Sequence, residues 1–372
     1  MNVRSLTRAA HSASFFKVQE AAGSGRTVVD FCIPTNSYFP TPAMFDQLSA
    51  ALPELLTYYP SDAAATTRRL SDLLGLHPQT VAMGNGSTEL ITWIDHLLVT
   101  ESIAVPIPTF GRWTDQPFET GKRVDLYPLR EADGFALDLA DYARFIRERG
   151  SRAAVICQPN NPDGGIVARD QVIAFLDELS DLDLVVVDES FIDFVDDAEA
   201  RSVVDVAPLR SNVIVLKSLG KNFGLHGVRF GYLVANPALA RRVGEALPKW
   251  NLNSLAEAVV GMLGQHRDAY RHSLALAARD RRAMAERLRT FGSLSVFETS
   301  TNFVLVKLPD HWSGPELRDF LLAEHGVYVR ECGNKLGLTS QFLRLVVRPT
   351  PDVDRLLGGL DDYRRSVGRR AA

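Results

Sequence analysis

Two lysines, Lys217 and Lys221, stand in the run KSLGKNFGLHGVRFGY at 217–232, with Gly224, Gly227 and Gly231 around Arg229. Glycine at that density lets backbone pass close to a bound molecule. A lysine in such a place can form a Schiff base once desolvation lowers the pKa of its ammonium. A second stretch with chemical potential is MGNGSTEL at 83–90, where Gly84 and Gly86 lead into Ser87, Thr88 and a helical run. That arrangement turns backbone N–H groups and hydroxyls toward an anion, with phosphate the usual guest. A helix cap alone would also account for Ser87 or Thr88. The stretch is neither a dinucleotide GxGxxG fingerprint nor a P-loop, since no GK[ST] follows. Asp188 ends an apolar run, and a carboxylate there needs a partner because an unpaired buried charge is costly. Asn161 lies in QPNNPDGG and Phe110 in PIPTF.

These residues occupy equivalent places on the elements that must carry them. Short β-rich apolar runs recur at 80–83, 103–107, 153–157, 184–188, 213–217 and 228–234. Most are separated by segments of helical periodicity, such as 170–179. Near-continuous apolar runs fit strands covered on both faces. The sequence therefore predicts an α/β fold with a mostly parallel central sheet flanked by helices. Ligands of open α/β sheets bind beyond the carboxyl ends of the strands. The 84–88 loop, Phe110, Asn161, Asp188 and Lys221 all fall at or just after such ends. Beyond Asn236 come long helical stretches over 255–291, a strand at 302–308, a helix near 315–324, strand-like runs at 326–330 and 342–347, and a last helix over 352–365. The expected division is an N-terminal arm of 1–40 joined to the small domain, a large domain of 41–238 and a small α+β domain of 239–372.

Composition narrows the function classes. The chain has 372 residues and a net charge of −4, without the basic excess of a general nucleic-acid binder. Hydrophobic residues make up 46% and charged residues 23%, enough for a sizeable core. No apolar run approaches the roughly 20 residues that cross a bilayer. Cys32, Cys157 and Cys332 are odd in number and widely spaced, which argues against a disulfide framework or a zinc site. A reducing, cytoplasmic compartment is the expectation. Residues 1–19 carry Arg4, Arg8 and Lys17 and no acid before position 20, as transit peptides do, but the reading adopted is an ordinary N-terminal arm.

Over nearly its whole length, and in motif order, the sequence resembles the class I/II aminotransferase family of pyridoxal-phosphate enzymes, fold type I. It is most similar to the branch that holds histidinol-phosphate aminotransferase and threonine-phosphate decarboxylase. The run K-N-x-G-L-x-G-x-R-x-G from Lys221 to Gly231 carries the resemblance most specifically. The resemblance implies pyridoxal 5'-phosphate as cofactor, with Lys221 as the Schiff-base lysine and the proton carrier between substrate Cα and the cofactor's C4′. Lys217, the rival by residue type, falls where the motif has no catalytic lysine. Asp188 would pair with the pyridine nitrogen so that the ring can accept electrons. Asn161 would hydrogen-bond the phenolic oxygen, and Phe110 would stack on the ring. Gly86, Ser87, Thr88, Ser218 and Arg229 would hold the cofactor phosphate. Tyr59, in TYYP, matches a tyrosine that reaches the phosphate of the neighbouring subunit, so the implied assembly is a homodimer with shared active sites. Three positions depart from the pattern: Phe191 replaces a common tyrosine, Gly220 a serine or threonine, and Asp163 a threonine.

The resemblance also bears on substrate. Arg344, in FLRLVVR, matches the arginine that clamps the α-carboxylate through a bidentate guanidinium pair. Arg330, in VYVRECGN, aligns with an arginine that faces the distal group in members acting on phosphorylated substrates. The implied substrate is an amino acid with an anionic or polar side chain. His11, in RAAHSAS, matches a histidine that holds substrate phosphate in threonine-phosphate decarboxylase, although Ser12 and Ala13 replace the two glycines that follow it there. Transamination is the leading expectation, carried by the lysine motif. Decarboxylation at Cα is the alternative, because DESFIDF, LREADG and RECGNKLGL look like threonine-phosphate decarboxylase. A DNA-binding regulator and a nicotinamide dehydrogenase are disfavoured, the first by charge and the second by the missing glycine fingerprint. The expected partners are a small-molecule substrate and a second copy of the chain, with no nucleic acid, membrane or metal.

Overall fold

The computed structural model describes residues 14–22 and 27–371. The strands are, in chain order, β1 (Val29–Phe31), β2 (Val81–Gly84), β3 (Ser102–Ile107), β4 (Arg123–Pro128), β5 (Ala153–Cys157) and β6 (Leu184–Asp188). After them come β7 (Val213–Ser218), β8 (Gly231–Ala235), β9 (Ser295–Val296), β10 (Phe303–Lys307), β11 (Val327–Glu331) and β12 (Phe342–Val346). Seven of them form one sheet in the order β2-β8-β7-β6-β5-β3-β4. Every pairing in it is parallel except those of β8, which runs antiparallel to both β2 and β7.

Side-chain alternation explains why this sheet is covered twice. Val155, Val186, Ile214 and Leu233 point to one face, where Ile91 and Ile94 of the helix Ser87–Leu98 and Trp113 of the helix Arg112–Glu119 meet them. Ala154, Ile156, Val185, Val187, Val213 and Val215 point to the other, against Tyr142, Ile146, Phe175 and Leu176 from the helices Leu139–Arg149 and Arg169–Glu178. Both faces exclude water, so the strands read as unbroken apolar runs.

A second sheet has the order β1-β11-β12-β10-β9, parallel between β1 and β11 and antiparallel elsewhere. One of its faces packs Val304, Val306, Val329, Leu343 and Leu345 against Leu317 and Leu321 of the helix Gly314–His325 and Leu356 and Leu360 of the helix Thr350–Ala371. The opposite face carries the row Leu305, Arg344 and Arg330, which are register partners across β10, β12 and β11.

The structure departs from the sequence expectations at several points. β4 was not anticipated, because an edge strand with half-exposed, charged positions lacks an apolar run. The strand expected from Val228 starts instead at Gly231, since Arg229 adopts a left-handed backbone with φ +56°. Residue 238 lies in the helix Pro237–Ala246, whose Ala240 and Val243 pack with the larger sheet. The last helix runs on to Ala371. No helix among the described residues is long and apolar enough to cross a membrane.

Candidate active site

β7 ends at Ser218, and the one-turn helix Leu219–Asn222 follows at once, which places Lys221 past the carboxyl edge of the larger sheet. A small cavity opens there, lined by Phe110, Cys157, Asn161, Asp188, Phe191 and Lys221. Four residues that lie far apart in sequence (Phe110, Asn161, Asp188 and Lys221) therefore meet in one place. Lys221 Nζ lies 5.9 Å from the Phe110 ring centroid and 5.2 Å from that of Phe191. Burial pulls its pKa down to about 8; Asp188 works against that shift, while Arg229 and Arg344 add to it. A lysine poised near neutrality can lose its proton and attack a carbonyl carbon.

Lys217 has the opposite environment. Its side chain is buried 2.8 Å from the Glu189 carboxylate. Burial disfavours the ammonium, but Glu189 and neighbouring acids outweigh it and hold the pKa above the ordinary lysine value. A cation locked in that pair is no nucleophile. The structure thus separates two lysines that residue type alone leaves as rivals.

Asp188, the last residue of β6, is 4% exposed. One carboxylate oxygen accepts the indole N–H of Trp113 at 2.8 Å, and the other accepts the backbone N–H of Ser190 at 3.0 Å. Those donors fix the carboxylate plane at the cavity wall. Trp113 was not foreseen; its only sequence signal is a tryptophan three residues after Phe110. Asn161 accepts a hydrogen bond at 2.8 Å from an Nη of Arg344, whose other Nη donates to the Cys32 carbonyl at 2.6 Å. The buried Nε of Arg344 has no hydrogen-bond partner among the described residues. An unmatched buried guanidinium N–H is costly unless an acceptor arrives, so this arginine can take an anionic acceptor.

The stretch expected to hold an anion assembles through strand register. Ser218 of β7 pairs with Gly231 of β8, which pairs with Gly84 of β2. The turn beyond Gly84 therefore lies beside the end of β7, and Arg229 just precedes β8. Gly86 immediately precedes the helix Ser87–Leu98 and has φ +79°. That φ favours glycine, and a Cβ there would come within 2.5 Å of an Nη of Arg229, so the guanidinium would have to shift. Ser87 is buried and Thr88 half-buried at the start of that helix, where backbone N–H groups face outward. Arg229 holds a left-handed conformation rare outside glycine, a form of strain that clusters at ligand sites. A lysine near neutrality, a carboxylate at the sheet edge, an aromatic ring and a helix-end cup with an arginine are the groups that a pyridoxal phosphate needs, and the donor set fits it.

Other expected residues lie farther out. Arg330 bonds to the Glu331 carbonyl and to Asn334, both at 2.7 Å. Tyr59 is 81% exposed and stacks on Trp250 with centroids 4.8 Å apart, so it does not line the cavity of its own chain. His11 lies outside the described residues. Phe191 is buried edge-on to Phe303, and Arg348 pairs with Asp352 at 2.9 Å. None of the three cysteines forms a disulfide; Cys157 lines the cavity and the Cys32 carbonyl holds Arg344. Sequence reasoning also missed His226, whose Nε2 lies 2.9 Å from the Pro34 carbonyl. Burial, with Lys221 and Arg229 nearby, lowers its pKa to about 4 and leaves the ring neutral.

The chain is similar to known proteins over most of its length. The chain is 28% identical to the L-serine phosphate decarboxylase of Campylobacter jejuni, over 95% of its own length and 93% of that protein's. It is 25% identical to the histidinol-phosphate aminotransferase of Ruminiclostridium cellulolyticum, over 79% of this chain and 80% of the other. A solved decarboxylase from Sulfurospirillum multivorans superposes with a TM-score of 0.87 at 26% identity, covering 96% of this chain and 94% of that one. Residues 26–360 match the family described as Aminotransferase class I and II. With fold, cofactor cradle and sequence in agreement, the chain belongs to the class I and II aminotransferase family and is a pyridoxal-phosphate-dependent enzyme.

Proposed function

We propose that this chain removes the α-carboxylate of an O-phosphorylated L-amino acid of the serine phosphate type. The observation that carries the reading is the direct register pairing of Arg330 with Arg344 on one face of the smaller sheet. Like charges placed opposite each other across strands repel, and a substrate with two anionic groups relieves that repulsion. The relatives named as L-serine phosphate decarboxylases, similar over nearly the full length, support the reaction type.

When bound, pyridoxal phosphate supplies an electron sink for the pair released at substrate Cα. Lys221 is the residue that joins it. Arg344 holds the α-carboxylate through its unpartnered Nε and an adjoining Nη, and so decides which bond of Cα is presented for cleavage. Asp188, oriented by Trp113 and Ser190, holds a proton at the pyridine nitrogen. The bond from Cα to the carboxylate carbon breaks, carbon dioxide leaves, and a proton from Lys221 replaces it at Cα. Ser218, Arg229 and the amides at 86–88 hold the cofactor phosphate. Tyr59 reaches the site of a second copy, making the enzyme a homodimer; its three cysteines, none in a disulfide, fit a reducing cytoplasm.

Transamination is the second reading, favoured by the intact lysine motif and the similarity to histidinol-phosphate aminotransferases. The two are separated by incubating holoenzyme with O-phospho-L-serine, with and without 2-oxoglutarate. Decarboxylation releases carbon dioxide and ethanolamine phosphate without the oxoacid. Glutamate formed in proportion to substrate lost, without carbon dioxide, would establish transamination instead.

A further inference from the structure

The turn between β11 and β12 carries a cation that no motif assigns. Lys335 donates to the backbone carbonyl of Thr109 at 2.7 Å, and Thr109 directly precedes Phe110. The turn is seated firmly: a Cβ on Gly337 would lie 2.9 Å from Pro108 N, so smaller-sheet backbone touches larger-sheet backbone here. Lys335 is therefore held against the wall that positions Phe110, five residues beyond Arg330 in the chain.

The electrostatics of this corner are one-sided. Arg330 and Arg344 both act on the Lys335 ammonium, and the buried Cys332 thiol sits in the field of all three cations. Among the described residues, no carboxylate lies within ion-pair distance of Lys335 or Arg344. Asp163 lies in the field of Lys335, but it is held by the Gly165 N–H at 2.9 Å and by Asn160. Asp30 lies in the field of Arg344, but its carboxylate accepts the Cys32 and Ile33 N–H groups. Burial, with Arg344 reinforcing it, lowers the Lys335 pKa to about 7. Lys335 and Arg344, neither paired with a carboxylate of the described residues, lie with Arg330 in one another's fields, and an entering anion relieves that repulsion. An ammonium also has more donors than the one given to Thr109.

We propose that Lys335 is a specificity-determining residue that binds, together with Arg330, the distal anionic group of the substrate, leaving Arg344 to the α-carboxylate. This rests on the reading of a phosphorylated amino acid as substrate and names a further residue that recognises the phosphate. The division of labour follows from geometry. Arg344 is anchored to Asn161, which lines the cavity, whereas Lys335 lies in the β11–β12 turn and Arg330, on β11, bonds to Asn334 of that turn.

The test measures binding without turnover. 3-Phosphoglycerate and glycerate keep the carbon skeletons of O-phosphoserine and serine but lack the amine, and each is titrated into holoenzyme by calorimetry. The quantity read is the ratio of their affinities. Lys335→Gln keeps a donor for the Thr109 carbonyl and removes only the charge; Lys335→Arg keeps a charge. The ratio should fall by about tenfold or more in Lys335→Gln, as expected for one lost charge-assisted hydrogen bond, and largely recover in Lys335→Arg. A wild-type preference for the phosphorylated ligand that survives in Lys335→Gln overturns the assignment of Lys335 alone. A wild-type ratio near unity overturns both this inference and the substrate reading.

Discussion

At the scale of single residues, chemistry here is decided by which charge is paired and which is not. Lys217 and Lys221 are four positions apart, yet one is tied to Glu189 at 2.8 Å and the other faces a small cavity whose wall carries Asp188. Lys221→Ala should abolish turnover, and borohydride should no longer fix the cofactor to the chain. Lys217→Met should act on stability instead. It strands a buried carboxylate, at a cost of about 3–5 kcal/mol. Melting temperature should fall sharply and return in the double variant with Glu189→Gln, while borohydride labelling stays on Lys221. Loss of labelling in Lys217→Met protein that remains folded would reverse the two roles. Asp163 offers a test by pH. Burial raises its pKa to about 6, from 3.8 in the unfolded chain, against the opposing backbone N–H of Gly165. Between those values the folded state keeps a proton that the unfolded state has lost, so this group's stabilising contribution is present at low pH and disappears as pH rises through 6. Asp163→Asn cannot ionise, so its melting temperature relative to wild type should climb between pH 4 and pH 7, by the equivalent of about 3 kcal/mol. A flat difference across that range would mean that the carboxylate is ionised throughout.

At the scale of elements, the site depends on strand ends arriving together, and this is where sequence reading was strongest. β5, β6 and β7 are legible because a strand buried on both faces has no polar position to interrupt it. The residues just past such strands are therefore legible in the sequence as site candidates. What was not legible depends on distant partners. Trp113 is one more aromatic on a helix until its indole meets Asp188, 75 residues away. Lys335 is one more surface-type residue until the turn folds onto Thr109, 226 residues away. β4 escaped notice because an edge strand alternates and carries charge. The Gly86 turn gives this scale its prediction. Gly86→Ala meets both a left-handed φ and the Arg229 guanidinium, a combination worth roughly 1–3 kcal/mol of strain. Arg229 is displaced to relieve it, so cofactor retention should weaken about tenfold or more. Absorbance of the bound cofactor after dialysis against buffer reads this directly, and full retention would show that the 86–88 turn does not hold the phosphate.

At the scale of the whole molecule, one surface is left unaccounted for by the single chain. The helix Leu52–Thr57 buries none of its residues, and Leu56 is 73% exposed. Tyr58 and Tyr59 follow it, and Trp250, itself in a left-handed conformation, stacks on Tyr59. An aromatic and aliphatic patch of this kind on a monomer marks an interaction site. Closed two-fold pairing would present the same patch from both copies. The 58–61 segment is also held in place, by the Ser254 hydroxyl bonding to the Tyr58 carbonyl and by Glu257 accepting the Ser61 N–H, so Tyr59 is presented rather than left loose. If Tyr59 completes the partner's phosphate cup, each active site draws Lys221 from one chain and Tyr59 from the other. Tyr59→Ala and Lys221→Ala homodimers would each be impaired. Unfolded, mixed in equal amounts and refolded together, they form hybrids in which one of the two sites has regained both side chains. Activity should then rise to about a quarter of the wild-type value, because half of the dimers are hybrid and half of the hybrid's sites are intact. Activity that stays at the mean of the two parents would place Tyr59 outside the partner's site and leave the exposed patch to some other contact.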